Sequence, residues 1–231
     1  MKERVMRWVF ALTACASIAA VILICVFLFA NGVPAMAEIG FFNFVGGQRW
    51  KPSSGLYGIW PMIVGSLYVT AGALIVGVPA GIFTAMYLAR FCNKRLYRFL
   101  KPAINLLAGI PSVVYGFFGL VVLVPRVREW LGGTGMSTLT ASVLLGIMIL
   151  PTIIGVAESA IRAVPEAYYE GALALGATPE EAMFKVMLPA AKSGVTAGII
   201  LAIDRSIGEA MAVSMVAGNQ PVIPESLLSG V

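Results

Sequence analysis

Residues 166–189 read EAYYEGALALGATPEEAMFKVMLP, the one long polar segment in an otherwise apolar chain, and they divide into two short helices. Thr178-Pro179-Glu180-Glu181 places a Thr at an N-cap, a Pro at the first helical position and a Glu three residues after the cap. The open N–H groups of the second helix thereby find acceptors. Gly176 stands where the first helix has to stop, because glycine takes the left-handed conformation past a helix end without a Cβ clash. Pro165 starts the first helix and Pro189 closes the second. With its flanks the segment reads as a helix–turn–helix hairpin over residues 162–192, held between two membrane spans.

Composition sets the class. The 231 residues are 59% hydrophobic and 12% charged, against roughly 25% charged in a soluble domain, so the chain is a polytopic membrane protein. The net charge of +5 follows membrane topology, as shown below, and is no nucleic-acid footprint. There is no His, which removes the commonest general base and metal ligand. Cys15 and Cys25 fall in the first apolar run and Cys92 in a basic loop, a pattern of neither a disulfide framework nor a metal site. No GxxxxGK[ST] loop occurs, so the chain is not expected to bind or hydrolyse ATP itself, and no catalytic residue, metal or cofactor is expected.

Five apolar spans are expected, at about 8–30, 59–89, 102–124, 138–161 and 194–217. The first is too long for the apolar region of a cleaved signal peptide, which runs ~7–15 residues. Residues 31–58 form an aromatic loop with Phe41, Phe42, Phe44, Trp50 and Tyr57. Such a loop lies flat at the membrane surface or meets an external binding protein. Glycines and Pro79 loosen the second span for close packing and a kink. In the third, Pro111 removes a backbone donor, and Ser112 or a neighbouring helix has to satisfy the carbonyl so released. Gly194, Gly198 and Ala202 form a small-residue row on the fifth.

Charge orients the chain. With the N-terminus inside, the inner segments hold Lys2, Arg4, Arg7, Arg90, Lys94, Arg95, Arg98, Lys101, Arg162, Lys185 and Lys192. The outer loops hold Arg49, Lys51, Arg126 and Arg128. That asymmetry places the hairpin in the cytoplasm.

The fifth span carries charge at its centre. Arg205 is eleven residues from Gly194 and twelve from Ala217, about 16–18 Å from either end at ~1.5 Å per residue. A charge there costs about 2.5–3.5 kcal/mol on insertion scales and needs a wet cavity or partners. Arg205 and Glu209, at i and i+4, can pair on one helical face. Asp204 lies about 100° away. Arg205 offers a donor fork to an oxyanion, with Glu209 weakening anion trapping; a purely structural ion pair is the alternative.

Two resemblances sharpen the reading. Glu170-Gly171-Ala172, three residues, Gly176, nine residues, then Val186-Met187-Leu188-Pro189 resembles the EAA loop of ABC-importer permeases, with Gly171 for Ala and Val186 for Ile as departures. The resemblance implies that the hairpin docks on an ATPase subunit, with Glu166, Glu170, Gly171, Ala172, Gly176, Leu188 and Pro189 as the coupling residues. LAGIPSVVYGFFGL at 107–120 and IGEAMAV at 207–213 resemble the C-type permease of the phosphate-specific ABC importer, in which an Arg and a Glu at the positions of Arg205 and Glu209 are functionally important. Asp204 stands where that family usually has Gly, and Ala210 where Thr is common.

The expectation is an all-α polytopic membrane bundle of the ABC-importer permease type over residues 1–231, located in the cell inner membrane. It would translocate inorganic phosphate inward, with Arg205, Glu209, Asp204 and Ser112 as the substrate pathway. The resemblance implies two copies of a cytoplasmic ATP-binding subunit, a second related permease and an extracytoplasmic phosphate-binding protein as partners. Membrane lipid is expected around the spans, and no nucleic acid. Another oxyanion, or a non-ABC ion-coupled carrier or channel, are the alternatives. Residues 226–231 are too short to span a membrane, so a sixth span is expected to be missing from this sequence.

Overall fold

The computed structural model describes residues 2–224, 226 and 228–230; of the closing stretch, Glu225, Leu227 and Val231 lie outside the described residues. Where the sequence reads as one domain, the chain divides into two compact units, residues 1–60 and 61–231. In the first unit, α1 (Lys2–Ile39) is longer than the expected 8–30 span and runs through Pro34. None of its described side chains is buried. A membrane helix needs no core to persist, because its backbone hydrogen bonds are all internal. A short α2 (Phe41–Gly46) follows, then an antiparallel pair, β1 (Trp50–Lys51) and β2 (Leu56–Tyr57), with Trp50 opposite Tyr57. Their rings meet edge to face at 5.9 Å, so the aromatic loop is a small folded ornament with its own pairing.

The second unit is built around α7 (Thr138–Ala163). Ser137 caps its start by accepting from the Thr140 N–H. Against it lies α3 (Trp60–Met86), prolonged by a π turn over Tyr87–Phe91. The expected small-residue packing is seen at Gly77 and Gly81. A Cβ at either would come within 2.8 or 2.7 Å of the Ile149 or Ile153 side chain. Pro79 is exposed and α3 passes it without a break.

The third span departs from expectation. It is two helices, α4 (Lys94–Gly109) and Ser112–Leu131, bent 96° apart; the latter comprises α5 (Ser112–Phe118), a π turn and α6 (Val124–Leu131). Proline disfavours helical geometry in the preceding residue, and Ile110 is accordingly extended (φ −72°, ψ 127°).

After the hairpin helices α8 (Glu166–Ala174), α9 (Pro179–Ala182) and α10 (Leu188–Ala190) comes α11 (Lys192–Ile207), then α12 (Met211–Val216). The expected continuous helix over 194–217 is therefore broken at Gly208–Ala210. Gly208 ends α11 by donating its N–H to the Asp204 carbonyl at 3.0 Å, and a Glu209 carboxylate oxygen accepts from the Ala212 N–H at 3.0 Å to open α12. The Gly194–Gly198 row does pack on α7, against Ala160 and Val156. Among the described residues three helices are long and apolar enough to cross a membrane unbroken, and five spans result if two bent pairs, Lys94–Gly109 with Ser112–Leu131 and Pro179–Ala190 with Lys192–Ile207 (74°), each count as one.

Apolar side chains collect in two clusters, both threaded by α7. One gathers Val69, Leu144, Leu145, Met148, Ile149, Ile153, Tyr115 and Val216. The other gathers Met86, Ile161, Met183, Met187 and Val195 at the hairpin end.

Candidate functional site

The hairpin is built from its caps upward. Gly176 sits at φ +89°, its N–H bonded to the Leu173 carbonyl at 2.9 Å and the Ala177 N–H to the Ala172 carbonyl at 3.1 Å. This is the paired-bond stop that glycine makes possible. Thr178 and Glu181 form the reciprocal capping box read from the sequence. A π turn over Met183–Met187 then turns Met183 and Met187 into the core beside Met86.

The outer face is open. Glu170, Gly171, Gly176 and Pro189 are exposed, Leu188 is half-buried and only Ala172 is buried. Nothing lies near the position a Cβ would take at Gly171 or Gly176. Leu175 beside the turn is 91% exposed, with Tyr168 also outward. Leu175 and Tyr168 thus present apolar surface at the capped tip.

Glu166 is not free. It pairs with Arg90 from the end of α3, whose guanidinium also stacks 4.7 Å from the Tyr169 ring. That hydrogen bond and charge hold the Glu166 carboxyl below the usual carboxylate range. A second ionic group lies further in. Glu158, its side chain 2% exposed, accepts from Lys101 Nζ at 2.6 Å and from Arg162 Nε at 2.8 Å. Arg162 Nη2 also donates to the Leu88 carbonyl at 2.6 Å. Arg90, Lys101, Arg162 and Tyr169 were not read as site residues in the sequence. Only the i,i+4 spacing of Glu158 and Arg162 was a usable signal.

The second group surrounds the two breaks. A Cβ at Gly116 would lie 3.0 Å from the Ala212 Cα, and one at Gly119 would lie 2.9 Å from the Val216 side chain. α5 and α12 therefore run side by side in the same direction, each starting just after a break, at Ile110–Pro111 and at Gly208–Ala210. Discontinuous membrane helices are a means by which transporters expose backbone groups to a bound ion. Arg205 is half-buried in the last turn of α11, and Asp204 is exposed on a different face. The expected Arg205–Glu209 ion pair does not form, because Glu209 leaves the helix and caps α12 instead. Among the described residues neither Asp204 nor Arg205 has an ion-pair partner. The carbonyl released by Pro111 belongs to Leu107, and the Tyr115 hydroxyl takes it at 2.9 Å; Ser112 does not. No cluster of metal-ligating side chains occurs among the described residues.

A helical membrane bundle with broken spans and a capped, outward hairpin is an architecture that suits a membrane permease. Residues 77–228 match the family of binding-protein-dependent transport system inner membrane components, and the chain belongs to that family. It is 40% identical over 221 residues to the probable ABC transporter permease protein YqgH of Bacillus subtilis, covering 93% of this chain and 72% of that protein. It is 38% identical to the phosphate transport system permease protein PstC of Pasteurella multocida, covering 81% of this chain and 65% of that one. The chain thus spans about two thirds to three quarters of these relatives' length. A chain of the MetNI methionine ABC transporter, solved in inward facing conformations, superposes with a TM-score of 0.52 at 26% identity, covering 69% of this chain and 74% of that one.

Proposed function

We propose that this chain is the permease subunit of an ATP-driven importer that carries inorganic phosphate into the cytoplasm, with its N-terminus and hairpin on the cytoplasmic side. The observation that carries the importer reading is the hairpin: a tip capped at both helix ends, packed from within by Met183 and Met187, with Leu175 wholly exposed. An ion-coupled carrier or channel has no use for such a tip; an ATP-binding subunit does. Glu170, Gly171, Gly176 and Pro189 would face that subunit, two copies of which serve this permease and a second, related one. An extracytoplasmic phosphate-binding protein would deliver the anion on the opposite side, and lipid would cover α1.

Phosphate rests on the relatives' substrate and on Arg205. A half-buried guanidinium with no ion-pair partner among the described residues keeps its donor fork available to an oxyanion. Ser112, at the start of α5, would supplement Arg205 with its hydroxyl and the open N–H groups of that helix. Glu209, occupied in capping α12, would shape the passage without neutralising the guanidinium. The test is phosphate uptake into vesicles holding the reconstituted complex, with and without ATP and against competing sulfate. ATP-dependent phosphate uptake that sulfate does not suppress is expected. Uptake of sulfate in preference would give another oxyanion, and uptake without ATP would give a carrier.

A further inference from the structure

On the importer reading just given, we propose that Glu158 is a positioning residue that links movement of the hairpin to the bend at Pro111. The links form one continuous path. Glu166 and Tyr169 of α8 hold Arg90, two residues beyond Leu88 in the same π turn. The Leu88 carbonyl is one of the last of its helix, left without an intrahelical donor, and Arg162 Nη2 fills that place at 2.6 Å. Through Nε the same guanidinium binds one oxygen of Glu158, and Lys101 of α4 binds the other. The planar fork fixes both directions at once, so reorienting the end of α3 reorients Glu158 and with it Lys101.

Two observations make this more than an internal brace. First, α4 contains no fully buried residue within this chain, only half-buried ones such as Tyr97, Leu100 and Ile104, so apolar packing inside the chain grips it less than it grips α7. Its ties to α7 are Lys101 on Glu158 and the Tyr97 ring under the Arg162 guanidinium, 4.7 Å away. Secondly, of the three charges only Glu158 is buried, with Lys101 and Arg162 reaching in from the surface; an ion pair on a buried carboxylate adds little stability over an apolar filling, and its best-attested use is to fix register. Here the register is that of α4 against α7. α4 leads directly into the 96° bend, which the Tyr115 hydroxyl spans by reaching the Leu107 carbonyl. Beyond the bend α5 lies against α12, the helix that follows the break after Arg205. A shift at the hairpin thus arrives at the broken helices through a chain of directional contacts centred on one carboxylate.

The test uses the assembled complex with Glu158→Gln, which keeps the side chain's size and removes its charge. The variant is expected to assemble and hydrolyse ATP at nearly the wild-type rate while uptake falls roughly tenfold, so that more ATP is spent per anion moved. Hydrogen exchange, with and without vanadate-trapped nucleotide, supplies a readout that does not depend on the substrate. Nucleotide should alter exchange of residues 166–190 and 104–115 in the wild type, but only of 166–190 in the variant. A proportional fall of assembly, hydrolysis and uptake would overturn the proposal, as would a nucleotide response at 104–115 that survives the substitution or is absent from the wild type. Should Glu158→Gln fail to assemble, Lys101→Met leaves Glu158 paired with Arg162 and is judged by the same outcomes. A wild-type complex that shows this exchange pattern but takes up no phosphate refutes the substrate assignment and leaves the link standing.

Discussion

The hairpin end and the region of the two broken helices treat charge in opposite ways. All four ion pairs among the described residues lie in or beside the hairpin end: Arg90–Glu166, Lys101–Glu158, Arg162–Glu158 and Lys185–Glu181. None reaches Arg205. At the hairpin end the helix termini are capped and the interior is filled by methionine and isoleucine. At the broken helices a guanidinium is half-buried without an ion-pair partner, and the Ser206 hydroxyl is buried without a hydrogen-bond partner among the described residues. Folding demands that buried polar groups be paired. On the proposed function, the paired region would transmit force as one piece, and the open one would keep its donors for a ligand.

The largest effect should come from breaking the open region. Arg205→Gln is expected to lower uptake roughly a hundredfold, as one or two charge-assisted hydrogen bonds of about 1.5–3 kcal/mol each are lost. Assembly and ATP hydrolysis should persist, since no ion pair depends on Arg205 among the described residues. Loss of folded complex with unchanged uptake per assembled complex would instead make Arg205 a structural residue.

Gly176→Trp attacks the solid region at its tip. Space is open there, so the cost is conformational: a side chain at φ +89° is strained by about 1–2 kcal/mol, or roughly five- to thirtyfold in docking. Permease-stimulated ATP hydrolysis and uptake should fall together, with the membrane bundle intact by thermal unfolding. Unchanged uptake would sink the docking role of the hairpin.

Tyr115→Phe probes the boundary between the two regions. It leaves the Leu107 carbonyl with only the Ile110 N–H at 3.3 Å, a loss of about 1 kcal/mol. A lower melting temperature is expected, with a several-fold slower uptake; a melting temperature equal to wild type would mean that water or lipid replaces the hydroxyl.

The smallest effect concerns pH. The Glu166 carboxyl is held below its ordinary range by Arg90. The pair's contribution is therefore complete above the ordinary carboxylate range and lost as pH falls through the lowered folded value. Proteolytic nicking of residues 166–174 should rise on acidification across that window and become independent of pH there in Glu166→Gln. Equal pH dependence in both proteins would assign the effect elsewhere.

Much of the fold was legible because its signals are local. The capping box at Thr178–Glu181, the stop at Gly176 and the small-residue row at Gly194–Gly198 act over a few residues, so spacing alone revealed them. The permease class was legible for the same reason. The Arg205–Glu209 pair was misread because i,i+4 arithmetic holds only on an unbroken helix. Gly208 together with the capping carboxylate of Glu209 ended that helix between the two residues. Pro111 announced a disturbance, but its 96° bend and the Tyr115 hydroxyl that heals it depend on the chain beyond.

By itself, then, the sequence determined an apolar all-helical chain, a capped hairpin and an arginine where hydrocarbon would be expected, since each follows from residue type and near spacing. Tertiary structure alone decided which partners the charges meet. Lys101 and Glu158 are 57 residues apart, and Arg90 and Glu166 are 76. No periodicity carries across such distances; a charge in a crowded bundle pairs with whichever element the packing of α3, α4 and α7 brings within reach.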